Sequence, residues 1–244
     1  MTTPLPSIPA SPDGAPPLRE LVFEGVGVDL AGVNVLRDVT VTLPQRRIAV
    51  IGSNGSGKST FARLLGGLVA PSRGRVRIHG HDLVGDRKQV LRMVGSVFSN
   101  PDAQIIMPTV AEDVAFSLRR RGLARDEIAR RVTATLERYR LAERADAPAH
   151  SLSGGQKQLL ALSAVLITEP ALIVADEPTA LLDGRNSRLI SSLLLDEIPQ
   201  QLVLVTHDLG LAARCDVAVR FEDGMLLEAD DPAPVIARYR RDLG

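Results

Sequence analysis

One run of residues, Gly52-Ser53-Asn54-Gly55-Ser56-Gly57-Lys58-Ser59-Thr60, limits what this chain can fold into more than any other stretch. It fits G-x-x-x-x-G-K-[ST], a loop that cradles phosphate. Glycines let the backbone curl until successive N–H groups point inward at an anion. Lys58 brings a positive charge for the β- and γ-phosphates of a nucleotide, and Ser59 a hydroxyl for Mg²⁺. From Ser59 onward a helix is predicted, with its positive end facing the phosphates. The flanks agree. Arg47-Ile48-Ala49-Val50-Ile51 is an apolar run suited to a buried strand, and Phe61, Leu64, Leu65 and Leu68 recur at helical spacing on one face. An ordinary glycine-rich strand-to-helix turn would leave the Lys-Ser pair and both flanks as coincidence.

Three later stretches carry matching chemistry. Leu152-Ser153-Gly154-Gly155-Gln156 precedes a strongly apolar helix reaching about Ile167. Ser153 is a helix-cap residue, and Gly154 and Gly155 bare the amides beside it, which makes a second anion site at a helix N-terminus. Two such sites in one chain make sense when both serve one polyphosphate. Ala171-Leu172-Ile173-Val174-Ala175 predicts an apolar strand ending in Asp176-Glu177. Asp176 stands where a Mg²⁺ ligand belongs beside a phosphate loop. Glu177 should point elsewhere by strand alternation, free to polarise a water for attack on the γ-phosphate. Leu202-Val203-Leu204-Val205-Thr206 predicts a further core strand that ends in His207. Alone at a strand end a histidine is commonly structural; beside these motifs His207 reads as a donor on the phosphate side of a parallel sheet.

The rest of the chain organises around these points. Residues 1–17, rich in proline, serine and alanine, read as a disordered or polyproline tail. Val39, Val41 and Leu43 alternate with Asp38, Thr40 and Thr42, so antiparallel strands are expected before the loop. Pro71 to Gly74 is a turn, after which Val76 and Ile78 alternate with arginines and His79. His79 and His81 lack a nearby cluster of Cys or carboxylates and read as surface histidines rather than metal ligands. Met93 to Phe98 predicts a buried strand running into the loop Ser99-Asn100-Pro101-Asp102-Ala103-Gln104. Thr109-Val110-Ala111-Glu112 is a capping box, opening a helix with Val110, Val114 and Leu118 on one side. Arg119-Arg120-Arg121-Gly122 should close it, cations at the negative end of the dipole, a reading preferred to nucleic-acid contact. Ile128, Val132, Leu136 and Tyr139 mark a second helix, so residues 99–165 form a helical insert between strands. A hairpin turning at Asp223-Gly224 and a helix capped at Asp231 with Pro232 first close the chain.

Composition excludes several classes. Lysine plus arginine equals aspartate plus glutamate at 29 each, so no net field draws the chain to nucleic acid or anionic lipid. Aromatics at 3%, with no tryptophan, weigh against base-stacking platforms. Cys215 is the single cysteine, which rules out an intrachain disulfide and suits a reducing compartment. The longest apolar run, Leu159 to Ile167, falls far short of the roughly 20 residues of a spanning helix, and no secretory signal is evident.

Together these residues resemble the ATP-binding subunit of ABC transporters. The likeness runs from about Leu21 to Leu227, with the motifs in family order: Gly52–Thr60, Leu152–Gln156, Leu172–Glu177, Ala180-Leu181-Leu182-Asp183 and His207. It implies an α/β P-loop NTPase fold with a mixed or parallel core sheet, an N-terminal antiparallel β subdomain and a helical signature subdomain. The ATPase domain would span 18–230, followed by a C-terminal helix over 231–244. The resemblance further implies that ATP and Mg²⁺ bind, with Lys58 and the loop on the phosphates, Ser59 and Asp176 on the metal, Glu177 on water and His207 on the γ-phosphate. In the family, Ser153, Gly154, Gly155 and Gln156 of one subunit close over the ATP of another, and Asp183 connects the two sites. A head-to-tail dimer with a second copy or a related ATPase follows, at the cytoplasmic face of a membrane.

Val97 to Gln104, Thr109 to Phe116 and Glu177 to Asp183 are similar to the energy-coupling-factor (ECF) importers of vitamins and of cobalt or nickel. Arg46 to Gly52 and Met107 to Val110 most resemble the ATPase of biotin importers. That likeness implies a transmembrane coupling subunit and a substrate-binding membrane subunit as partners. Ser99 stands where the family usually has a glutamine that reaches Mg²⁺ and water. No aromatic lies between Phe23 and Phe61 to stack adenine near Leu30. A soluble ABC ATPase of translation or DNA repair would carry tandem cassettes or a long coiled coil. A regulatory nucleotide binder with feeble hydrolysis is the alternative that Ser99 raises, as is an ATPase of a cobalt or nickel importer.

Overall fold

A computed structural model describes residues 20–119 and 121–242, so the tail reading at 1–17 and Arg120 fall outside the described residues. Two sheets organise them. The first joins Leu21–Leu30 (β1), Val33–Leu43 (β2), Arg73–Ile78 (β4) and His81–Asp82 (β5) in the order β2-β1-β4-β5, antiparallel throughout. The expected alternation on β2 is present, with Val39 and Leu43 buried and Asp38, Thr40 and Thr42 outside or nearly so.

The second sheet joins Arg47–Gly52 (β3), Val94–Val97 (β6), Leu172–Asp176 (β7), Gln201–Val205 (β8), Val217–Glu222 (β9) and Met225–Asp230 (β10) in the order β10-β9-β3-β8-β7-β6. All its neighbours are parallel except β10 on β9. Every residue of β3 is buried, as a parallel central strand requires. Its period of two divides the core. Ala49 and Ile51 pack into one hydrophobic cluster with Val97, Ala175 and Leu204, while Ile48 and Val50 pack into the other with Phe61, Val174 and Val203.

Helices cover both faces. Lys58–Leu65 (α1) follows the glycine loop, and Arg87–Met93 (α2) precedes β6. Between β6 and β7 come Val110–Phe116 (α3), Arg125–Arg138 (α4) and Gly154–Leu166 (α5). Gly184–Ser192 (α6), Leu209–Ala212 (α7) and Pro232–Asp242 (α8) follow. Thr109 and Glu112 form the expected reciprocal capping box, and Val110, Val114 and Leu118 are buried. None of the described helices is long and apolar enough to cross a membrane.

Four local expectations are corrected. Helix α1 stops at Leu65 because Gly66 and the left-handed Gly67 turn the chain, so Leu68 lies off the helix and is 57% exposed. Met93 belongs to α2, a helix whose single buried residue, Val90, gave no periodic signal. Helix α3 ends at Phe116, before the arginines; Arg119 instead lies over the Phe116 ring, 5.0 Å from its centroid, and Arg121 donates to the Arg92 carbonyl at 3.3 Å. His79 is no surface residue: half-buried, it meets the Gln201 side chain of β8 at 2.6 Å and so links the two sheets. Among the described residues no three His, Cys, Asp or Glu side chains form a metal cluster. Cys215 is buried, and burial pushes its thiol up to about 12, which makes it an inert packing group.

Arg47 is the least expected core residue. It is 4% exposed, and its guanidinium donates to the carbonyls of Leu195 (2.9 Å), Ile198 (2.6 Å) and Gln200 (2.6 Å). These carbonyls lie in and after the π-helical turn Leu193–Glu197 that follows α6, and the Ile198 carbonyl accepts a second bond from Arg46 at 2.5 Å. Arg47→Met keeps the stem and deletes the donors. It is expected to lower unfolding free energy by about 2–4 kcal/mol, the cost of orphaned buried acceptors. A urea midpoint shift at constant slope measures this; a loss under ~1 kcal/mol would mean that the carbonyls are rehydrated instead.

Candidate active site

Strands β3, β8 and β7 are neighbours and run parallel. Their C-terminal ends therefore deliver the Gly52–Thr60 loop, His207 and Asp176-Glu177 to one edge, the edge at which open α/β sheets bind ligands. Gly57 stands at the cap position of α1 in the left-handed region and offers no side-chain acceptor, so the first-turn amides of α1 are left to an outside anion. Lys58 Nζ donates to the Gly52 carbonyl at 2.8 Å and the Ser53 carbonyl at 2.7 Å, folding back along its own loop. Burial lowers the Lys58 pKa, with Glu177 and Asp176 opposing. The Ser56 hydroxyl oxygen is buried without a hydrogen-bond partner.

Ser59 Oγ lies 3.4 Å from Asp176 Oδ1. Burial raises the Asp176 pKa, partly offset by Ser59, Arg63 and Lys58. A half-buried carboxylate beside a hydroxyl, short of a direct cationic partner, is a hard-oxygen pair that fits Mg²⁺. Glu177 does diverge from Asp176, for a different reason than alternation. The strand ends at Asp176, and Glu177 takes a left-handed backbone (φ 51°) with its amide on the Val205 carbonyl. Its carboxylate then lies 2.7 Å from His207 Nδ1, a pairing that sequence spacing does not show.

The other expected site residues form a second group. Ser153 caps α5, its hydroxyl accepting from the Gln156 amide while Gln156 Oε1 accepts from the Ser153 amide. Asp183 caps α6, accepting from the amides of Arg185 and Asn186 and from the Asn186 side chain. Asn186, absent from the sequence reading, joins the two caps, since a methyl on Gly155 would come within 2.3 Å of its carboxamide carbon. A methyl on Gly154 would meet nothing within 4 Å. Among the described residues no hydrogen bond or ion pair links Ser153 to Gln156, or Asp183, with Lys58, Ser59, Asp176, Glu177 or His207.

The family profile described as "ABC transporter" matches residues 36–180, a span that holds the phosphate loop, the Ser153 cap and the Asp176-Glu177 pair. The chain belongs to the ABC transporter family. It is 43% identical over 218 residues to the biotin transport ATP-binding protein BioM of Rhizobium etli, covering 89% of this chain and 96% of that one. It is 37% identical over 205 residues to the energy-coupling factor transporter ATP-binding protein EcfA1 of Lactiplantibacillus plantarum, covering 82% and 73%. The solved structure of cbiO1 from Clostridium perfringens, described as part of the ABC transporter complex cbiONQ, superposes with a TM-score of 0.80 at 30% identity, covering 91% and 93%. This ABC protein is accordingly an ATPase whose activity is coupled to transport.

Two departures within this ABC ATPase have a visible setting. Ser99 lies half-buried at the end of β6. Gln104 does not take its place, because its side chain accepts from the Phe98 amide at 3.3 Å and donates to the Ser96 carbonyl at 3.1 Å, closing the turn. That turn is tied to α5: Gln158 donates to the Phe98 carbonyl at 3.3 Å, and Lys157 pairs with Asp102 at 2.7 Å. Near Leu30, Val33 is 63% exposed, while Phe61 lies buried in the core between Phe23, on which it stacks, and Phe221, to which it is tilted, out of reach of a base.

Proposed function

We propose that this ABC ATPase is the ATP-hydrolysing subunit of an ECF-type importer, with biotin as cargo. The observation that carries the hydrolytic part is the convergence of Lys58, the Ser59–Asp176 pair and the Glu177–His207 pair at three adjacent strand ends. The ECF type and the cargo rest on the relatives, at 43% identity to a biotin transport ATP-binding protein.

In this reading Lys58 and the loop amides hold the β- and γ-phosphates, with Ser53, Asn54, Gly55 and Ser56 forming the wall. Ser59 and Asp176 would hold Mg²⁺, which would supply positive charge to offset that of the phosphates. Glu177 polarises the attacking water and His207 donates to the γ-phosphate, so their mutual hydrogen bond must open as substrate enters. Ser153, Gly154 and Gly155 serve the ATP of a second subunit, in keeping with their separation from Lys58 and with the open space at Gly154. Asp183 sits beside that second group through Asn186. ATP then favours the closed pair and hydrolysis releases it. A cleft of about 370 Å³ lined by Asp102, Ile106, Met107 and Pro108 lies on the turn that carries Ser99, suited to a segment of a membrane subunit.

The test is ATP turnover of the purified chain, alone and with its transmembrane and substrate-binding subunits, beside Ser99→Gln. The expected result is stimulation by the membrane subunits, with Ser99→Gln within about thirtyfold of the native chain, because a bridging water costs at most ~2 kcal/mol. Activity appearing only in Ser99→Gln, with no stimulation of the native chain, would favour the regulatory nucleotide binder. Uptake of labelled biotin by the reconstituted complex checks the cargo, and its absence beside active ATP turnover removes biotin alone.

A further inference from the structure

Three hairpin turns in this chain share one backbone geometry. Ala31-Gly32, His79-Gly80 and Asp223-Gly224 each place two consecutive residues in the left-handed region, with φ of 49° and 80°, 49° and 83°, and 47° and 79°. Turn chemistry accounts for all three, since a tight right-twisted hairpin requires positive φ at both central positions. Their surroundings differ. A methyl on Gly32 or Gly80 would meet nothing within 4 Å, whereas one on Gly224 would come within 2.4 Å of the Val35 carbonyl oxygen. Gly224 is thus a glycine twice over, once for the turn and once for what presses on it.

What presses on it is strand β2, and the same turn is hydrogen-bonded to the back of the phosphate loop. The Gly224 amide donates to the Ser56 carbonyl at 3.1 Å, and the Gly224 carbonyl accepts from the Arg37 amide of β2 at 2.8 Å. A methyl on Gly57 would lie 3.5 Å from Gly224 Cα and 3.1 Å from the Val35 carbonyl oxygen. At the loop's other end, a methyl on Gly52 would lie 2.2 Å from the carbonyl oxygen of Phe221 on β9. The β9–β10 hairpin therefore meets the loop backbone in two places, at Gly52 and at Ser56-Gly57, through main-chain atoms of Phe221 and Gly224.

We propose that the Asp223-Gly224 turn is a positioning element for ATP binding: it holds Ser56 and Gly57 in the curvature that aims the loop amides at phosphate. This deepens the function proposed above and rests on its assignment of the Gly52–Thr60 loop to ATP. A loop fixed in advance binds without an ordering cost, and misplacement of about 1 Å at such a site has large consequences.

The experiment compares the native chain with Gly224→Ala, Gly80→Ala and Lys58→Ala, reading Kd for a fluorescent ATP analogue, KM and kcat for ATP, and thermal midpoint. Gly80→Ala imposes the same backbone strain at a position where the added methyl meets nothing within 4 Å. The expected result is a Kd and KM raised about tenfold or more in Gly224→Ala with kcat changed far less, and both constants unmoved in Gly80→Ala. Equal behaviour of the two alanine variants overturns the proposal and leaves a generic strain effect. If Lys58→Ala leaves ATP binding intact, the assignment of the loop itself fails; if Lys58→Ala abolishes binding while Gly224→Ala does not, only the role of the hairpin fails. Hydrogen exchange on the native chain covers a Gly224→Ala variant that does not fold. ATP should slow exchange in a peptide spanning 222–226 together with one spanning 52–60, while 77–83 stays unchanged; protection of 52–60 alone overturns the proposal.

Discussion

Glu177→Gln is expected to cut ATP turnover by about two to four orders of magnitude, the usual worth of a general base, while ATP still binds. The substitution is nearly isosteric and keeps an oxygen within reach of His207, so the 2.7 Å contact between positions 177 and 207 has a neutral equivalent. What disappears is the charge that, in the proposed function, draws a proton from water. The left-handed backbone at Glu177, anchored by its amide on the Val205 carbonyl, is independent of the side chain and should persist. Steady-state kcat gives the loss, and size-exclusion chromatography with ATP should show a dimer that no longer decays. Turnover within a few-fold of the native chain would remove Glu177 from the chemistry and turn attention to a regulatory role.

Lys58→Ala is expected to act on the other constant. An ammonium bonded to phosphate contributes about 3 kcal/mol, so Kd for ATP should rise on the order of a hundredfold. In the free chain Lys58 already bonds the Gly52 and Ser53 carbonyls, and the deletion also frees the start of the loop. The two effects add in the same direction. Isothermal titration with ATP measures the sum, and an affinity within about threefold of the native chain would contradict the placement of phosphate on this loop. Together the two variants separate binding from chemistry: one moves Kd and spares the base, the other moves kcat and spares the cradle.

Much of this was legible in the sequence wherever a residue's role is local. Gly57-Lys58-Ser59 announces a turn into a helix, Thr109 and Ser153 announce caps three residues before their partners, and the apolar run ending at Asp176 announces a strand with acids at its tip. These signals depend on neighbours along the chain. The contacts that escaped depend on distant ones. Arg47 opens an apolar strand and would be expected at its wet end; only the C-terminal turn beyond α6, some 150 residues later, explains its burial. Asn186 has no periodic or motif signal, yet it packs the Gly155 backbone against the Asp183 cap. The pairing of His207 with Glu177 required two strand ends to be neighbours, which the order β3-β8-β7 supplies and linear spacing does not. Helix α2 was missed because one buried valine cannot establish a period.

The strand pairing has a consequence for synthesis. Strand β3, which leads into the phosphate loop, lies between β8 and β9, so Ile48 waits for both Val203 and Val217 before either flank is covered. A chain leaving the ribosome N-terminus first displays the glycine loop long before those strands exist. The segment then has no sheet beneath it and no hairpin behind it, and such non-local pairing is slow to form. Competence for ATP therefore waits until residues 217–230 have emerged. A chain cut before residue 201 would thus carry the most recognisable motif of the molecule on a strand with neither of its neighbours.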